Sequence, residues 1–234
     1  MTMVPTAAVA TRAGVEAPTT TAATSTASDT KNQAKLKLII SRGDKEINRR
    51  LKTLNTLSVK INGAKKLSSA DKTSLSAEVQ DEISSLNALK AKLDADTDLA
   101  AAQADAQSIF SAYRVYALIV PKVQLVKAAD DQQAAENKLT DLAAKLKARL
   151  SEAQKKGKDT ANLQSTLDNM TTKTTAAQVI SSGVEAAVIA LQPNDYNSNH
   201  GILSGNRDKL KAAQDNIKTA ATDAKTIVTG LRKL

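Results

Sequence analysis

The sequence predicts an all-α protein, an elongated antiparallel (up-down) bundle of about six long helices with coiled-coil-like packing. Three observations predict it. Apolar side chains recur at spacings of three, four and seven from Leu36 to Leu231, the period of a helix with one buried stripe. Breakers are scarce, with 8 Gly and 4 Pro in 234 residues. One Phe, three Tyr and no Trp leave too little aromatic filling for a sheet protein.

The same composition limits the chemistry. With no cysteine there are no disulfides, thiolate metal ligands or Cys nucleophile. One histidine, His200, excludes multi-His metal sites. The sequence therefore calls for no cofactor and no metal, and the one catalytic grouping it offers, His200 with Ser198 or Ser204 and Asp195, lacks a glycine elbow or oxyanion nest, so no enzyme is expected.

Residues 1–10 (MTMVPTAAVA) read as a signal-peptide remnant whose start lies upstream of Met1. Ala8-Val9-Ala10 has the small-x-small pattern of a cleavage site. The alternative is an ordinary Ala-rich N-terminus. Residues 11–29 read as a disordered Thr/Ala/Ser/Pro linker, and 30–234 as the helical bundle domain. The protein is thus expected outside the cytoplasm, secreted or at the cell surface. No later apolar run approaches the roughly 20 residues that span a bilayer, so no transmembrane span is expected.

The first helix is predicted over Thr30 to Asn62. Leu36, Ile40, Ile47, Leu51, Leu54 and Ile61 share one stripe, with Gly43 inside it where a neighbour can approach. Lys31, Lys35, Arg42, Lys45, Arg49 and Lys60 lie on the opposite side. Gly63 stops this helix, and Ser68 to Asp71 resembles a capping box that starts the next, with Leu67 as its staple. The second helix buries Leu75, Val79, Ile83, Leu86 and Leu93. After an acidic break at Asp94 to Asp98, a third runs from Leu99 to about Val120, and Pro121 marks a boundary or bend. The fourth covers about Lys122 to Lys156 through Leu139, Leu142, Leu146 and Leu150, and Gly157 ends it. Asp159 or Thr160 caps the fifth, which turns Leu167, Met170, Val179, Ile180, Val184 and Val188 inward until Pro193 closes it. Pro193 to Gly205 reads as irregular, and Ser204 as the cap of a last helix through Leu210, Ile217, Ala224 and Ile227.

Charge singles out the first helix. The chain carries a formal +9, and residues 31–66 alone hold eleven basic against two acidic residues, whereas 67–120 hold four against eight. Lys31, Lys35, Arg42, Lys45, Arg49 and Lys60 are the candidate polyanion-binding residues, for DNA, a wall polymer or acidic headgroups. The competing expectation is a merely solvated face, partly neutralised by the acidic helices that follow. Base-stacking aromatics are missing from this helix, which argues against sequence-specific recognition.

Four other patterns are expected to be structural. Phe110, Tyr113 and Tyr116 read as a core plug, with a membrane-dipping or partner-binding patch as the alternative. Asp94, Asp96, Asp98 and Asp105 mimic a calcium loop but have Leu99 at its glycine position. Arg42-Gly43-Asp44 spells an integrin tripeptide inside a helix, and His200 sits in an Asn-rich loop with no oxyanion nest.

At Tyr113-Arg114-Val115-Tyr116-Ala117-Leu118-Ile119-Val120-Pro121 and Ala128-Ala129-Asp130, and again around Asn48-Arg49-Arg50-Leu51 and Leu54 to Ile61, the chain resembles secreted helical proteins of candidate-phyla-radiation bacteria such as Saccharibacteria. The resemblance implies an exported helical protein and supplies no activity, ligand or site residues. The leading expectation is a structural or interaction module whose partner is an unknown protein or surface polymer. The runner-up is a polyanion-binding protein, and the third an extracytoplasmic holdase. Oligomeric state is not legible.

Overall fold

The computed structural model describes residues 21–234, and among them every regular element is helical. The chain forms α1 (Thr21–Gly63), α2 (Ser69–Ala95), α3 (Leu99–Ser111), a π-helical turn (Val115–Ile119), α4 (Val120–Lys155), α5 (Ala161–Ile189), α6 (Pro193–Ser198) and α7 (Ile202–Leu231). The predicted all-α bundle is what folds. The signal-peptide reading of residues 1–10 lies outside the described residues, as does the linker reading of 11–20.

Four boundaries differ from expectation. The first helix begins at Thr21, not Thr30, so residues 21–29 are helical and continue α1. Alanines 22, 23 and 27 extend a helix at little cost once its packed turns exist. The third helix ends at Ser111, ahead of Pro121, and Arg114 takes a left-handed φ of 36°. Pro121 has no N–H and would crowd the carbonyl four residues back, and the preceding turn widens to i→i+5 bonding, with Val120 N–H donating to Val115 O. Proline then falls in the first turn of α4, where its missing donor is not needed. The segment from Pro193 to Gly205 is not wholly irregular, because Gln192 and Asp195 form a capping box that starts the short α6. Ser204 is not a cap: α7 starts at Ile202, and the Ser204 hydroxyl donates to Gly201 O at 2.8 Å.

Two caps fall as predicted. Ser68 Oγ accepts from Asp71 N–H at 3.0 Å and Leu67 is buried. At the end of α4, Gly157 takes φ 76°, Gly157 N–H donates to Gln154 O and Lys158 N–H to Ala153 O. That pairing is the Schellman arrangement, which requires a left-handed residue there.

The helices enclose two apolar clusters. The first gathers Ile47, Leu54 and Ile61 of α1, Leu75, Leu86 and Leu93 of α2, and Ile109 of α3. The near ends of the long helices also enter it, through Val126 of α4, Val188 of α5 and Leu203 of α7. The second, built by α4, α5 and α7 alone, holds Leu146, Leu150, Met170, Ala177, Ala220 and Ile227. These three helices therefore run through both. Between the clusters they carry polar side chains: Glu136 of α4 accepts from Ser181 Oγ of α5 at 2.9 Å, both fully buried. By length and composition the run Leu99–Lys155 contains one window apolar enough to cross a bilayer, and 44% of that window is buried against the rest of the protein.

Candidate polyanion-binding face

On α1 the inward stripe is as predicted: Leu36, Ile47, Leu54 and Ile61 are buried, and Ile40 and Leu51 half-buried. Gly43 lies in it against α2, where a Cβ would come within 2.3 Å of Leu93 Cδ2. Because that stripe points inward, the residues half a turn away point outward. Lys31, Lys35, Arg42, Lys45, Arg49 and Lys60 are all exposed. At about 1.5 Å per residue they extend over roughly 40 Å of one helix.

The acidic helices that follow leave this face charged. The carboxylates of α2 and α3 go elsewhere: Glu78 to Lys122 at 2.7 Å, Asp94 to Lys90 at 3.0 Å and Asp105 to Lys92 at 2.7 Å. Of the six candidates only Arg49 has an acidic partner among the described residues, Glu46 of its own helix at 2.6 Å. Lys31, Lys35, Arg42, Lys45 and Lys60 form no ion pair there.

Of the three aromatics expected to plug the core, Tyr113 is half-buried against the first apolar cluster, whereas the other two lie outside it. Phe110 and Tyr116 are 52% and 38% exposed. They lie beneath α1: the Arg49 guanidinium sits 4.8 Å from the Tyr116 ring centroid, and that of Arg50 4.7 Å from Phe110. The Tyr116 hydroxyl is 3.1 Å from Thr53 Oγ1. A stripe that lacks aromatics in sequence thus acquires two from the α3–α4 junction. The missed residue is Arg50, buried at 4% exposure and also donating to Glu46, with Nε unpartnered. Burial lowers its pKa from the ordinary arginine value. Periodicity separates it from Arg49: Arg50 comes three residues after Ile47 and four before Leu54, on the inward stripe, whereas Arg49 lies opposite.

The remaining patterns are structural. Asp98 caps α3 by accepting from Ala101 N–H at 2.8 Å, and Asp94 and Asp105 are held by lysines, so no calcium loop forms. Arg42-Gly43-Asp44 is helical, with Asp44 bound to Lys90 at 2.8 Å. His200 is exposed and packs on Tyr196 with ring centroids 5.0 Å apart.

Two buried ionisable groupings tie α2 to α4 and α5. Lys122, 1% exposed, donates to Glu78 at 2.7 Å and to Leu191 O at 2.9 Å. Beside it burial, with Glu78 next in effect, pushes the Glu82 carboxyl up to about 7. The carboxylates of Asp71, Asp130 and Glu185 approach within 4.8 Å of one another, and Asp130 accepts Ser68 N–H at 2.7 Å. Burial, then the negative charges of Asp71 and Glu185, raise Asp130 to about 6 against that bond. Asp130 thereby completes from α4 the capping box that Ser68 and Asp71 leave half-made.

Comparison with protein-family models, curated proteins and solved structures finds no match to this chain.

Proposed function

We propose that this chain is a non-catalytic helical interaction module of the cell exterior that engages polyanions through the outer face of α1. One observation carries the reading: five of the six candidate cations form no ion pair among the described residues, although eight acidic residues follow them directly in sequence. Neutral surfaces of helical proteins intersperse both signs. A single-sign row over roughly 40 Å instead suits a linear anion, whose condensed counterions it can displace. Tyr116 adds an exposed ring beside Arg49, and Phe110 another beside Arg50, and such rings favour single-stranded nucleic acid over a sulfated polysaccharide. Placement outside the cytoplasm is supported by the Ala8-Val9-Ala10 pattern and the Thr/Ser-rich stretch after it.

Binding of fluorescent single-stranded DNA and of heparin, followed against salt, tests the proposal. The expected result is affinity that falls linearly on a log–log plot. The triple substitution Arg42→Glu, Lys45→Glu and Arg49→Glu then makes the slope shallower by about 0.7 for each phosphate of the single strand that is no longer neutralised. Absence of binding at low salt, or binding indifferent to the triple substitution, overturns it.

A further inference from the structure

Between the second half of α1 and the first turns of α4 the helices splay and leave a half-open groove of about 380 Å³. Its floor is Leu57, Ile61, Ala64, Leu67 and Val123, side chains that belong to the first apolar cluster yet meet no helix on this side. Its rim carries three ammonium groups, Lys52 and Lys60 from α1 and Lys127 from α4. Lys127 is held by Asp131 at 2.7 Å, whereas Lys52 and Lys60 have no ion pair among the described residues. No aromatic ring and no carboxylate lines the groove.

We infer that this groove binds a single-chain anionic amphiphile, a long-chain carboxylate of the fatty-acid class. A volume in the range of small-molecule sites, an apolar floor and a few charged groups on the rim are the features that hold such a ligand. The alkyl chain packs along the buried apolar floor, and the carboxylate is drawn to Lys52 and Lys60, the two rim lysines without an ion pair among the described residues. An aromatic ligand finds nothing to stack on, and a cationic one meets three like charges. The groove is one slot between two helices, so it takes a single chain and not a bilayer surface.

The inference is independent of polyanion binding, although Lys60 borders both surfaces. Dodecanoate below its micellar concentration, titrated calorimetrically into the full chain, is the probe. One saturable site per chain is expected, with dodecyltrimethylammonium binding at least about tenfold more weakly. Thr56→Trp, at an exposed α1 position lining the groove, replaces no core residue, lays a ring across the groove floor and abolishes binding. Lys52→Glu with Lys60→Glu weakens dodecanoate by about tenfold and leaves dodecanol unchanged. The triple substitution at Arg42, Lys45 and Arg49 leaves dodecanoate binding intact, which separates failure of one surface from failure of the other. Non-saturable uptake, equal binding of the cationic amphiphile, retention of binding in Thr56→Trp, or binding only to phosphatidylglycerol vesicles overturns the inference.

Discussion

At the scale of single residues, space and desolvation decide what each position tolerates. Gly43→Ala drives a methyl into Leu93, which is fully buried and has little room to retreat. A loss of about 1–3 kcal/mol in urea unfolding is expected. Gly63→Ala, where nothing lies within 4 Å of the added Cβ, serves as the neutral comparison. Lys122 obeys a different rule. Its charge is tolerable because Glu78 and Leu191 O both accept from it, so Glu78→Gln leaves a buried ammonium without its ion-pair partner. That single change is expected to cost about 3 kcal/mol, because the desolvation remains while the attraction is gone. Lys122→Met in the Glu78→Gln background recovers most of it, and a double-mutant cycle on denaturant midpoints measures the difference. Recovery below a third of the loss means that the Leu191 carbonyl is the more important partner.

At the scale of elements, the junction between α3 and α4 is held from outside. Arg114 has a left-handed backbone, yet its Nε donates to Asn197 Oδ1 of α6 at 2.7 Å, and Asn197 Nδ2 donates to Ser111 O at 3.2 Å. Asn197→Ala removes both bonds and leaves the strained residue unsupported. A loss of about 1–2 kcal/mol is expected, with faster amide exchange confined to Ala112 through Ile119. Exchange unchanged there shows that α6 does not anchor the turn.

This junction also marks the limit of what sequence makes legible. Apolar spacing locates every long helix, and Gly157 and Ser68 signal their roles because turn and cap chemistry is local. The bend near Pro121 is legible but not its form, since an i→i+5 turn depends on how the flanking helices pack. Val179 shows the same boundary: its spacing places it inward, and it is 68% exposed because the face of α5 that packs carries Met170, Ala177 and Val184 instead. The six outward cations of α1 are readable for the opposite reason, as position opposite an apolar stripe is fixed by helix geometry alone. That the acidic helices leave them unneutralised, and that Phe110 and Tyr116 come to lie beneath Arg49 and Arg50, requires the tertiary arrangement.

At the scale of the whole molecule, buried carboxyls set how stability varies with pH. Burial and neighbouring acids raise Asp130 from 3.8 to about 6 and Glu82 from 4.5 to about 7, and burial also raises Glu136. A carboxyl that binds its proton more tightly when folded contributes stability below its unfolded pKa and loses it as pH climbs through the folded value. Melting temperature is therefore expected to fall between about pH 4 and pH 7.5. Each of the first two groups contributes on the order of 1 kcal/mol after screening by nearby water. Asp131 runs the other way: burial is outweighed by Lys127 and Lys66, its pKa is lowered, and its contribution disappears only in stronger acid. Glu82→Gln together with Asp130→Asn flattens the profile across that window. A profile equally steep in the double variant assigns the slope to other groups.

The single i→i+5 turn has a further geometric effect. Within Val115–Ile119 the turn uses one residue more than an α-helical turn, which shifts the phase of α4 by about 100° relative to an α-helical start at Val115. That phase points Lys122 toward α2 and Asp130 toward the first turn of that same helix. Excising one residue from Val115 to Ile119 would restore α-helical bonding there and mismatch the protein, with its ionic anchors turned aside and its oily seam facing water.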